Sequence, residues 1–354
     1  MSTASREPAI LEWLARLMPA AEAGQTLRQL LALGVLSLEA AEEPAPALEL
    51  APEWLPRFDP AYFDFRIRHY RLLDTCFQIR YGDRELEHWI HPVLAHLQTA
   101  ASAQPHHTLT AARILQFVYL YREGELLHLG RFPLHITPVS LAPCFMELAP
   151  KALAAMLECA ARRFDPVLCL NASAVLCSGR LLLLAGEGQG LLAARLLAEG
   201  CGYFTDGWVL LERGSGQVRP LPVSLGLRAD EARLLERHFP GLAESPQYCR
   251  QDGVPVHYLP PPPASLPASG QAARPALLVF VRPAEEGLPA MRPVAKAEAF
   301  SRWLGRCGFT RPMREADVAL LVQMLEHLEC QELAWGDLDP AAETLLAWSA
   351  APCL

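Results

Sequence analysis

The chain has 354 residues, 51% of them hydrophobic and 20% charged, with a formal net charge of −8. That balance leaves ample material for a core and excludes a nucleic-acid binder built on clustered Lys and Arg. No apolar run reaches the ~20 residues of a membrane-spanning helix, and the length allows two domains or one large one with an appendage. The opening MSTASREPAI has neither the basic region nor the apolar stretch of a secretory signal, so a cytoplasmic location is expected.

In chain order, residues 8–38 show helical apolar spacing (Ile10, Leu11, Leu14, Leu17, then Leu27, Leu30, Leu31), with Gly34 as a stop. This predicts a helical appendage over 1–40. The stretch 41–65, rich in Pro, Ala and Glu at its start, reads as a linker. From 66 to 150 the pattern is mixed, as in a small α+β lobe. CFQIRYG (76–82) and ILQFVYLYREGELLHLG (114–130) read as strands, the second turning at Glu123-Gly124. Between them RELEHWIHPVLAHL (84–97) reads as an amphipathic helix kinked at Pro92. His88 and His91 lie one turn apart there, but no metal-binding spacing completes them, so solvated or capping histidines are expected and no metal.

From 151 to 350 a β-α-β alternation predicts a sheet covered on both faces. A helix at 149–163 precedes VLCLNASAVLCSGRLLLLAG (two strands), LLAARLLAEG (helix) and GYFTDGWVLLER (one strand). The proline-rich 255–275 reads as a surface loop, PALLVFVRP (275–283) as a strand, and helices follow at 294–307 and 314–329. Cys159, Cys169, Cys177 and Cys201 stand singly among apolar residues, with no C-x-x-C, and read as buried free thiols. Ser173 has no G-x-S-x-G around it and is discounted as a nucleophile. Asp337 and Asp339 in GDLDP read as a helix N-terminus. Trp303, Trp335 and Trp348 read as core or partner contacts.

The informative stretch is AGEGQG (185–190), between the apolar run RLLLL and the helix. A phosphate loop works because successive backbone N–H groups converge on an anion at a helix N-terminus. A lysine then neutralises phosphate and a Ser or Thr hydroxyl holds Mg²⁺. Gly186, Gly188 and Gly190 suit that backbone, but Glu187 adds a negative charge, and Leu191 and Leu192 open the helix without a polar group. Taken alone, the glycines fit a plain tight turn equally well.

The surroundings add a resemblance. LNASAVLCSGRLLLLAGEGQGLLAARLLAEGCGYFTDGWVLLERGSGQVRPLPVSL (170–225) resembles the nucleotide-binding core of HPr kinase/phosphorylase-related proteins. CQELAWGDLDPAAETLL (330–346) is similar to that family's closing strand and helix, and HYRLLDTCFQIRYGDRELEHWIHPVLAHL (69–97) to its small N-terminal lobe. RPLPVSL (219–225) is similar to its proline-flanked strand. The resemblance implies an α/β fold: an HPr-kinase/PEP-carboxykinase-like P-loop core, a small α+β lobe and the helical appendage. The segment 26–39 also faintly resembles the last helix and wing of PqqD-like peptide-recognition domains, a simple two-helix appendage being the alternative.

Position by position the resemblance turns against kinase activity. Asn171 stands where the family has His. Counting back from Gly200, Gln189 takes the lysine position and Gly190 the hydroxyl position; the acidic pair becomes Asp206-Gly207. The chain's only lysines are Lys151 and Lys296. Removing one preorganised charge-stabilising group typically costs about 10²–10³ in rate, and several are altered together here. The expectation is therefore a catalytically degenerate member, a pseudokinase whose residual candidate is Asp206. It would need no cofactor and act as a scaffold or regulatory subunit for a protein or peptide, in a peptide-modification (RiPP) setting the family implies. The alternative is an active serine kinase that uses ATP and Mg²⁺, with arginines such as Arg195 replacing lysine.

Overall fold

The computed structural model describes residues 7–32, 35–36, 66–100, 107–114, 117–123, 126–130, 141–250, 252–268, 270–284, 288–308 and 312–351, with backbone alone for 107–144. The expected linker thus lies wholly outside the described residues, as does Gly124. The chain divides into two compact units. One comprises Met1–Glu43, Asp165–Leu221 and Ala264–Leu354; the other comprises Pro44–Phe164 and Pro222–Pro263. These bounds differ from the sequential blocks read from the sequence, because each unit is closed by segments distant in the chain.

The first unit is the mixed α/β body. Helices α1 (Glu7–Leu14) and α2 (Ala20–Ala32) open it. Numbering the strands in chain order, β7 is Leu168–Leu170, β8 Ser173–Cys177, β9 Arg180–Gly186, β10 Gly202–Thr205 and β11 Val209–Leu211. Further on come β15 (Pro275–Pro283), β16 (Ala290–Pro293), β17 (Cys307–Gly308) and β18 (Glu329–Trp335). Helices α5 (Gln189–Ala198), α7 (Lys296–Leu304), α8 (Glu315–His327) and α9 (Leu338–Ala350) complete it. The main sheet runs β10-β8-β9-β15-β18-β16. Its centre is parallel, β15 pairing with both β9 and β18. Central strands covered on both faces are apolar throughout, as LLLL and ALLVFV are. Helices α5 and α9 pack together on one face. On the other a single core joins Leu183, Leu278 and Phe280 to α7, α8 and the N-terminal helices. A smaller sheet, β11-β7-β17, lies alongside in the chain fold.

Two strand readings are corrected here. VLCLNASAVLCSGRLLLLAG forms three strands, because Asn171 and Ala172 interrupt the first and send β7 to the smaller sheet. GYFTDGWVLLER forms two strands in different sheets, broken at Gly207, whose φ of 74° only glycine adopts readily. The described part of the N-terminal helical segment, 7–32 and 35–36, packs into this core. Ile10, Leu14, Leu27, Leu30 and Leu36 are buried in one cluster with Trp303, Val318 and Leu321. The Met313 N–H donates to Val35 O at 2.7 Å, tying the segment to the chain before α8.

Cys177 and Cys201, expected as free thiols, form a disulfide with Cα atoms 4.8 Å apart. Antiparallel pairing of β8 with β10 sets Leu176 opposite Gly202 and so brings together residues 24 apart in sequence. Cys159 and Cys169 take part in no disulfide. A loop of that length restricts the unfolded chain by about 3 kcal/mol on the chain-entropy account. The double substitution C177S/C201S is therefore expected to lower unfolding free energy by that amount in urea titrations, with no change in the far-ultraviolet circular dichroism of the native state. An unchanged urea midpoint would remove the constraint from the account.

The second unit holds β1 (Arg66–Leu72), β2 (Thr75–Tyr81), β3 (Gln98–Thr99), β4 (His107–Ile114), β5 (Phe117–Glu123) and β6 (Leu126–Gly130) in the order β3-β1-β2-β4-β5-β6. The expected hairpin is present, Glu123 pairing with Leu126 across β5 and β6. Helix α3 (Arg84–Leu94) is capped by Asp83, which accepts from Leu86 N–H at 2.9 Å, and continues through Pro92. Helix α4 spans Leu141–Phe164, longer than expected and again through a proline, Pro150. The expected start at 149 missed that Phe145, Leu148, Ala149, Ala152, Leu153 and Met156 form one continuous buried stripe. Packing along that stripe outweighs the cost of an interior proline, about 3 kcal/mol.

The unit also contains β12 (Leu225–Leu227), α6 (Ala229–Leu235), β13 (Gln247–Cys249) and β14 (Pro255–Leu259). The first part of the expected loop 255–275 is thus a strand, between β12 and β13. RPLPVSL has no regular structure before Leu225, since Pro220 and Pro222 lack the N–H a ladder needs. His91 is half-buried: its Nδ1 lies 2.9 Å from the Tyr70 hydroxyl, itself 2.6 Å from the Tyr81 hydroxyl, and burial lowers its pKa.

Candidate functional site

β9 ends and α5 begins within AGEGQG, so the five loop residues Gly186 to Gly190 lie where the central parallel strand meets a helix N-terminus. Such strand ends are the usual ligand edge of an open α/β sheet. Two glycines are required by geometry. Gly186 has φ 146°, and a Cβ there would stand 2.0 Å from the Val281 carbonyl oxygen on β15. Gly188, the N-cap of α5, has φ 81°, and a Cβ would stand 2.6 Å from the Trp335 ring. Trp335 is the last residue of β18 and is buried, its indole N–H having no hydrogen-bond partner among the described atoms. Sequence reasoning treated Trp335 only as a core or partner contact; nothing local to it signals that it roofs the loop.

One loop side chain turns back onto the loop. The Gln189 amide oxygen accepts from Gly186 N–H at 3.0 Å. The Gln189 amide nitrogen donates to Asn171 Oδ1 at 3.2 Å. Two residues singled out from sequence, 18 apart, are thereby joined. Asp206 Oδ1 accepts from Ser173 Oγ at 2.5 Å. A Cβ on Gly190 would lie 3.4 Å from both Asp206 oxygens, so this carboxylate sits beside the first turn of α5, where the helix dipole favours an anion. Gly207 N–H donates to Ala172 O at 2.9 Å, fixing the turn that carries Asp206. Asn171, Gln189, Gly190, Asp206 and Gly207 therefore meet around one strand edge, while Glu187 points to solvent. Ser173, discounted as a nucleophile, serves instead to hold Asp206.

Three cations are held by contacts of their own. Arg195, in the last turn of α5, is nearly buried between Asp339 at 2.8 Å and Glu199 at 2.5 Å, which raise its pKa against the opposing effect of burial. Lys296 donates to the Leu328 carbonyl and Lys151 pairs with Glu147. No group of three or more potential metal ligands occurs among the described residues. No helix among them is long and apolar enough to cross a membrane. What the edge offers chemically is amide and carboxylate hydrogen bonding beneath an indole ring.

No family model and no curated protein matches the sequence. Among solved structures, the Hpr(Ser) kinase/phosphatase from Coxiella burnetii aligns with a TM-score of 0.25 and 10% identity, over 51% of this chain and 88% of that one. A likeness at that level transfers no ligand, activity or residue role.

Proposed function

We propose that this protein is a binding module with an HPr-kinase-like ancestry that has given up phosphoryl transfer, and that it serves a protein or peptide partner as scaffold or regulatory subunit. The observation that carries the reading is the Gln189 side chain: its amide oxygen occupies the Gly186 N–H that a phosphate would need, and Asp206 supplies the negative charge beside α5. An incoming nucleotide would have to displace one and face the other. Asp206 is a structural carboxylate in this reading, and neither ATP nor Mg²⁺ is a cofactor.

The test is calorimetry with ATP and GTP in the presence of Mg²⁺. No binding tighter than about millimolar is expected for the native chain; micromolar, Mg²⁺-dependent binding would overturn the proposal. The pair Gln189→Lys and Gly190→Ser should raise affinity beyond either change alone, since the lysine unplugs the loop and the serine brings a hydroxyl next to Asp206. Lysine and serine at 191 and 192 are no alternative placement, because Leu191 and Leu192 are buried in the core.

A further inference from the structure

On the face that carries α7, three arginines converge on one carboxylate. Arg282 Nε, at the end of β15, lies 3.1 Å from Glu332 Oε1, and Arg292 of β16 lies 2.5 Å from the same oxygen. Arg302 of α7 lies 2.7 Å from Oε2 and also pairs with Glu298 at 2.5 Å. Three positive charges against two negative ones leave an excess of one, on a chain whose net charge is −8. Glu332 is almost buried, and hydrogen bonding from Arg302, Arg282 and Arg292 holds its pKa down to about 2, so it stays ionised throughout the ordinary pH range. The side chains of Arg282 and Arg292, in contrast, are 55% and 65% exposed. A guanidinium has five donors, and Arg282 spends only Nε on Glu332 among the described contacts. The buried carboxylate thus holds the guanidiniums in place before any ligand arrives, which lowers the ordering cost of binding.

The cluster continues at Arg302 into an open groove of about 730 Å³ between α2 and α7. Its apolar surface includes Met18, Leu30, Phe300 and Leu304; its other charged lining residues are Glu22 and Glu298. Glu298 is already paired with Arg302, leaving Glu22 on the α2 wall as the acid an approaching anion must avoid.

We propose that this surface receives an acidic, partly apolar segment of a partner protein, with carboxylates on Arg282 and Arg292 and apolar side chains in the α2–α7 groove. Charge complementarity chooses the occupant: bidentate carboxylate–guanidinium pairing uses the donors that Glu332 leaves over, and the apolar floor distinguishes a peptide from a free anion. The assignment deepens the binding-module reading and is independent of the loop, so calorimetry with nucleotide and the experiment below can fail separately.

The probe is a fluorescein-labelled peptide, Glu-Glu-Leu-Leu-Glu-Glu-Leu-Leu, titrated with the full chain and followed by fluorescence polarisation. Saturable binding is expected, weakened several-fold between 50 and 200 mM salt as roughly expected for exposed charges, with a Lys-Lys-Leu-Leu repeat and inorganic phosphate failing to compete. The variant R282A/R292A should lose about tenfold or more in affinity; it leaves Glu332 Oε1 without these two partners while Arg302 keeps Oε2, so binding is compared at a temperature well below the melting transition of both chains. Equal binding by that variant, or by the basic peptide, would overturn the proposal, as would no binding at several hundred micromolar.

Discussion

Deleting residues 1–36 is expected to abolish cooperative unfolding of the sheet-bearing unit. Ile10, Leu14, Leu17, Met18, Leu27, Leu30 and Leu36 are buried in the same cluster as Trp303, Met313, Val318 and Leu321. Burying a Leu, Ile or Met side chain contributes roughly 1.5–3 kcal/mol, so seven of them exceed much of the 5–15 kcal/mol net stability usual for a domain. Deletion also opens the surfaces of α7 and α8 that they cover. The truncated chain should lack a sharp thermal transition and bind a hydrophobic dye at 25 °C, whereas the single change Leu14→Ala should only lower stability by about 2–5 kcal/mol. A truncated chain that melts cooperatively within a few degrees of the full one would show the helices to be an ornament on an independent core.

The second large effect is expected from Gly186→Ala. The new Cβ would stand 2.0 Å from the Val281 carbonyl oxygen, in a conformation with φ 146° that L-residues rarely adopt. The obstacle is backbone, held in a parallel ladder in which Val281 pairs with Gly186 itself, so no side chain can swing aside. Relief means parting β9 from β15 at the centre of the sheet. A loss of about 4 kcal/mol or more is expected, combining overpacking with backbone strain, read as the shift in urea midpoint. Gly179→Ala is the control: its φ is also positive, at 78°, but a Cβ there meets nothing within 4 Å. If both variants lose equally, the close approach at Gly186 is not what matters.

Much of the α/β class was legible because it rests on local pattern. PALLVFVRP reads as a covered strand and is β15 over the same residues, and the alternation GRLLLLAGEGQGLLAARLLAEG reads as strand, turn and helix and is folded so. Alternation and helical spacing survive because burial on a fixed face imposes them residue by residue. The glycines of the loop were likewise visible, since a chain seldom spends three in six positions without a backbone reason.

What sequence could not disclose is what those elements meet. Gln189 could be seen to lack the charge of a lysine; that its amide reaches both Gly186 and Asn171 depends on β8 and β9 pairing side by side. Trp335 lies almost 150 positions from the loop, and β18 pairing with β15 brings it there. The Cys177–Cys201 bridge, the helix running through Pro150 and the absorption of α1 and α2 into the core have the same origin. By itself the sequence determined that 275–283 is a strand, that 180–198 runs as strand, turn and helix, and that the loop lacks a cation. Only the tertiary structure decided what meets that loop and where the arginines gather, because those outcomes depend on contacts between residues far apart in the chain, and local spacing carries no record of them.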